Sequence, residues 1–82
     1  MVNVDYHPHF LKLFQKLKSN SQKEKIKKQI EKIIVNPEIG KPMMYNRKGT
    51  REVYISPFRL SYLYIKEEDK IMILYLYHKD GQ

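Results

Sequence analysis

The chain has 82 residues, 41% hydrophobic and 30% charged, with three glycines, four prolines and no cysteine. These values fit one small core and exclude a disulfide-stapled, thiolate-metal, collagen-like or low-complexity protein. Sixteen Lys and Arg against nine Asp and Glu leave a net charge of +7, which favours a polyanionic partner, either nucleic acid or an acidic protein segment.

The first residues, MVNVDYHPHF, lack the charged-then-apolar layout of a signal peptide. No apolar run approaches the roughly 18 residues needed to span a membrane. The expectation is a cytoplasmic protein folded as one domain over residues 1–82, and the lack of cysteine agrees with a reducing compartment.

Val2–Tyr6 alternates apolar and polar residues, as a half-buried strand does. Pro8 suits the first turn of a helix, and Phe10, Leu13, Phe14 and Leu17 then recur on one helical face. This predicts a helix over 8–18. Ser21 with Glu24 has the spacing of a capping box. Ile26, Ile30, Ile33 and Ile34 make a second stripe, ended by Asn36-Pro37. Two amphipathic helices so closely joined predict a helical hairpin. Its outside is basic, with eight lysines and two glutamates from Lys12 to Lys32.

Past Pro37 the pattern changes to short strands and turns. Gly40-Lys41-Pro42 reads as a turn, Met43–Tyr45 as a short strand and Asn46–Gly49 as a second turn. Arg51–Ser56, Phe58–Lys66 and Ile71–His78 read as strands, with Pro57 and Glu67–Lys70 at the connections. The fold class is therefore α+β: an N-terminal strand and helical hairpin packed on an antiparallel meander sheet. The last two strands are apolar or aromatic on both faces. Two short helices cover only one face, so the other is expected to meet a partner, for which tyrosine is well suited.

Asn36-Pro37, Gly40-Lys41-Pro42, Gly49-Thr50-Arg51-Glu52-Val53, Phe58-Arg59-Leu60-Ser61-Tyr62 and Leu74–Lys79, in this order and spacing, resemble the RelE/ParE toxin superfamily. The resemblance implies two N-terminal helices on an antiparallel sheet and a cognate antitoxin that wraps the toxin in a hetero-oligomer. It also implies one of two activities: metal-independent cleavage of mRNA on the ribosome, as in RelE-like members, or inhibition of DNA gyrase, as in ParE-like members. A catalytically weak member retained for antitoxin binding is the further alternative.

For mRNA cleavage, a base must take the 2′-hydroxyl proton, a cation must stabilise the phosphate and an acid must protonate the 5′-oxygen. By resemblance Arg59 is the phosphate clamp, a role its fixed charge and paired donors suit; a structural salt bridge to Glu52 is its other reading. His78, where similar members carry an acid, has the side chain best suited to proton transfer near neutral pH. Glu52 is the candidate base, or else structural. Lys79, Arg51, Tyr54, Lys48 and Arg47 are the expected RNA contacts, Tyr54 also as a stacking surface. Tyr75 and Tyr77 read as core or antitoxin contacts. His7 and His9 lack the partners of a metal site, and neither a metal nor another cofactor is expected. The C-terminal tyrosine and lysine pair of RelE-type enzymes are missing. The nuclease assignment leans on Arg59 and His78 opening onto one phosphate; if they left opposite sides of the sheet, the assignment built on that pair would collapse, though the fold would survive.

Overall fold

The computed structural model describes residues 2–42 and 49–78. In chain order these form β1 (Asn3–Tyr6), α1 (Pro8–Lys16), α2 (Asn20–Val35), β2 (Lys41–Pro42), β3 (Thr50–Ile55), β4 (Phe58–Ile65), a 3-10 turn (Lys66–Glu68) and β5 (Lys70–His78). The expected short strand at Met43–Tyr45 and most of the turn after it lie outside the described residues. Among the described residues no helix is long and apolar enough to cross a membrane.

The strands make one sheet in the order β1-β5-β4-β3-β2. β3, β4 and β5 form the antiparallel meander that their alternation predicts, with β2 antiparallel at one edge. At the other edge β1 pairs parallel to β5, Val4 opposite Ile71 and Tyr6 opposite Ile73. The sheet is therefore mixed, because the helices carry the chain back across it before the meander begins.

α1 starts where Pro8 predicts, its first turn capped by His7 Nδ1, which accepts from the His9 amide at 3.0 Å. It ends at Lys16, two residues short of the expected end, since Leu17 is already extended. The cap of α2 is Ser19, not Ser21: its hydroxyl accepts from the Gln22 amide at 3.2 Å. An extended Ser19 leaves only a short connection and lets α2 begin half a turn earlier than the Ser21–Glu24 spacing suggests.

Phe10 from α1 and Ile26, Ile30 and Ile33 from α2 join Val53, Ile55, Phe58, Leu60, Tyr62, Ile71, Ile73 and Leu76 in one buried cluster. These sheet residues define the helix-covered face. Opposed residues share a face, so Glu52, Tyr54, Arg59, Ser61, Leu63, Ile65, Met72 and Tyr77 belong to the other, outer face.

β5 does not alternate from end to end. Tyr62 pairs with Ile73 but Ser61 with Tyr75, so Leu74 is the extra residue of a β-bulge. A bulge shifts the side-chain phase by one. Ile71 and Ile73 point to the helices before it, and Leu76 does so after it.

The segment leaving α2 is tied to the sheet by Tyr62. Its hydroxyl accepts from the Gly40 amide at 3.0 Å and donates to the Pro37 carbonyl at 2.8 Å. Burial pushes this phenol's pKa above its ordinary value, so it stays a donor. A methyl group at Gly40 would lie 2.8 Å from that oxygen and 3.0 Å from the Glu52 carbonyl, so glycine is needed here for close approach. Tyr62→Phe is expected to strand both backbone groups and cost about 1–3 kcal/mol, measurable as a lower urea midpoint at unchanged m-value.

Candidate functional site on the outer sheet face

Three adjacent strands each supply one side chain to a polar cluster. Glu52 on β3 receives Arg59 Nη1 from β4 at 2.9 Å on one carboxylate oxygen. Its other oxygen accepts the Tyr77 hydroxyl from β5. The register brings this about, because Tyr77 lies directly opposite Arg59. Tyr54 faces Arg59 from the β3 side and is 54% exposed.

The ion pair foreseen for Arg59 and Glu52 is therefore formed. Its side chains are 40% and 20% exposed, and a solvent-screened pair of this kind contributes at most about 1 kcal/mol. It is too weak to be a principal brace of the fold. A guanidinium has five N–H donors, so Arg59 can keep Glu52 and still meet a phosphate. Arg59 Nε is buried and has no hydrogen-bond partner among the described residues.

His78 is not part of this cluster. It pairs with Phe58, and the two rings meet edge-on with centroids 5.0 Å apart on the helix-covered side. There it borders a cavity of about 280 Å³ with His9, Leu13 and Leu17. Arg59 and His78 thus leave opposite faces of the sheet, and the structure does not bring the pair together. The cause is the Leu74 bulge, which brings Tyr77 in place of His78 to the face that carries Arg59.

Arg51 is also placed away from the cluster. It lies opposite Tyr62 and donates through Nη1 to the carbonyls of Glu38 (3.0 Å) and Gly40 (2.8 Å), contacts that hold the β2 approach. Arg47, Lys48 and Lys79 lie outside the described residues. His7 and His9 both pack on the Tyr75 ring, at 5.4 and 5.0 Å. Among the described residues no group of three or more His, Cys, Asp or Glu side chains gathers as a metal site would.

Tyr77, expected from the sequence as core or antitoxin contact, joins this cluster through Glu52. Its signal was positional: with the β4–β5 register and the bulge known, it falls opposite Arg59.

The fold recurs in solved structures. The chain superposes on the toxin of the intact Escherichia coli RelBE toxin–antitoxin complex with a TM-score of 0.82 at 20% identity, covering 95% of this chain and 96% of that one. For the YoeB/ParE toxin from Agrobacterium tumefaciens the values are 0.81, 12%, 94% and 98%. For the archaeal RelE–RelB complex from Pyrococcus horikoshii they are 0.71, 16%, 95% and 94%. No curated protein sequence matches significantly.

Two helices on one side of a five-stranded mixed sheet thus place the molecule in the fold class of the RelE-type toxins. The family model for the ParE toxin of type II toxin–antitoxin systems matches residues 4–82. The chain belongs to that family, within the RelE/ParE superfamily, and is a toxin of a type II toxin–antitoxin system.

Proposed function

We propose that this toxin arrests translation in the cytoplasm as a metal-independent endoribonuclease that cuts mRNA on the ribosome. The observation that carries the reading is the Glu52–Arg59 pair, a carboxylate and a guanidinium 2.9 Å apart on a half-exposed sheet face. Glu52 takes the 2′-hydroxyl proton, and the oxygen attacks the adjacent phosphorus. Arg59 stabilises the charge that builds on the phosphate oxygens. Tyr77, hydrogen-bonded to Glu52, donates a proton to the leaving 5′-oxygen and recovers one from the carboxyl. Tyr77 thus takes the acid's part that the resemblance implies for His78. Tyr54 offers a ring for the neighbouring base.

A cognate antitoxin holds the toxin inactive in a hetero-oligomer. Half-buried Leu63, Ile65 and Met72 together with exposed Tyr54 give it an apolar, aromatic surface to cover, and the E. coli and P. horikoshii neighbours were solved as toxin–antitoxin complexes.

The placement of His78 favours a second reading, a non-cleaving toxin that inhibits DNA gyrase, because the Arg59 cluster lacks an imidazole. Mapping 5′ ends of ribosome-bound mRNA after brief induction separates the two. New 5′-hydroxyl ends inside reading frames, with gyrase supercoiling activity unchanged in the purified system, are the expected result. Intact mRNA with trapped, gyrase-cleaved DNA would replace the nuclease reading with the second.

A further inference from the structure

Among the described residues the sheet's outer face carries a cation that neither the cleavage scheme nor an ion pair uses. Lys41 on β2 is exposed and lies directly opposite Glu52. Side chains opposed in this way start about 5 Å apart at Cβ, yet Lys41 makes no ion pair among the described residues. Each carboxylate oxygen of Glu52 is engaged by another partner, Arg59 on one and Tyr77 on the other. Lys70, also on this face, is by contrast paired with Asp5 at 3.0 Å. Among the described residues Lys41 is thus an ammonium with no ion-pair partner, within side-chain reach of the candidate base.

Its backbone is well fixed. Gly40 before it is pinned through its amide to Tyr62 and through its carbonyl to Arg51. Pro42 after it restricts Lys41 to extended conformations, and the pairing with β3 does the same. A lysine held at this point has little backbone entropy left to lose on binding.

We propose that Lys41 is a phosphate-binding residue of this site, contacting the backbone of a single-stranded RNA so that Lys41 and Arg59 hold phosphates on either side of Glu52. The two cations come from β2 and β4, with the Glu52 strand between them. Together they give the site a direction along the RNA, from a binding phosphate at Lys41 to the reacting one at Arg59. The proposal rests on the outer face being an RNA-cleaving surface, but its test can be separated from that reading. The competing role for Lys41 is protection of the sheet edge against pairing with other chains, a common use of edge lysines. Edge protection involves no RNA.

The test measures binding of a fluorescein-labelled 2′-O-methyl hexanucleotide, which cannot be cleaved, across a salt series by anisotropy, alongside cleavage of ribosome-bound mRNA. Lys41→Ala is expected to weaken hexanucleotide binding roughly fivefold and to lower the slope of log affinity against log salt by about one. Lys41→Arg should keep both values, and Lys66→Ala at the far end of the sheet should change neither. In cleavage, Lys41→Ala is expected to raise KM with kcat nearly kept. Lys41→Gln, which preserves the stem, repeats the measurement should the alanine variant fold poorly by circular dichroism. Unchanged affinity and slope in both neutral variants, or a wild-type protein that does not bind the hexanucleotide, would overturn the proposal. Lys41-dependent binding with no mRNA cut by the wild type would leave this contact standing and remove the cleavage reading instead.

Discussion

Replacing Arg59 with alanine is expected to slow mRNA cleavage on ribosomes by about 10²- to 10³-fold while leaving the protein folded. The size follows from the role assigned to Arg59: a fixed cation aimed at charge that develops in the transition state is commonly worth that much. Its removal costs the fold little, because the pair with Glu52 is partly solvated and Tyr77 still serves the other carboxylate oxygen. Arg59→Lys should recover only part of the rate, since an ammonium cannot serve Glu52 and a phosphate with the planar donors of a guanidinium. His78→Ala is the informative companion. Its ring sits on Phe58 on the helix-covered side, so its loss should lower stability more than cleavage. Single-turnover rates on programmed ribosomes, read beside urea midpoints, check both. Full cleavage by Arg59→Ala would exclude this arginine from the chemistry.

The second large effect concerns the core. Leu60→Ala is expected to cost about 2–5 kcal/mol, against a total stability of about 4–12 kcal/mol for a domain of this size. Leu60 is fully buried on β4, opposite Val53 on one neighbouring strand and Leu76 on the other. It lies on the helix-covered face, within the buried cluster. Leu63, three residues on and half-buried on the outer face, gives the contrast: Leu63→Ala should cost roughly 1 kcal/mol or less. Equilibrium urea unfolding of both variants tests the assignment of faces directly, and equal losses would contradict it.

The helices were legible because each buries a stripe that its own sequence spells out. Phe10 with Leu13, and Ile26 with Ile30 and Ile33, needed no knowledge of the sheet, and they pack where the spacing puts them. Pro8 and Asn36-Pro37 marked outer ends correctly. The inner ends were less clear, as Ser19 and Ser21 both suit a cap and only the extended Leu17–Ser19 stretch selects Ser19. β3, β4 and β5 announced themselves by composition. The parallel pairing of β1 with β5 did not, since strand identity is local and strand partner is not.

The candidate site was legible in its parts and not in its assembly. Arg59, Glu52 and Tyr54 could be picked from the sequence, and the structure sets all three on one face. Regular alternation along β5 would have carried Met72, Leu74, Leu76 and His78 together onto that face as well. The extra residue at Leu74 reverses the phase, turning Leu76 into the core and Tyr77 toward Glu52. Arg51, next to Glu52 in the chain, is drawn to the helix-covered side, where one guanidinium nitrogen donates to two carbonyls.

The sequence by itself determined the two apolar helical stripes, the three meander strands, the strong positive charge and the pattern of the RelE/ParE superfamily. These properties are written in residue spacing and type, which local physics reads directly. Only the tertiary structure decided which side chains meet. A one-residue shift in strand pairing exchanges the faces of everything beyond it, and whether such a shift occurs depends on the packing of the neighbouring strands and helices.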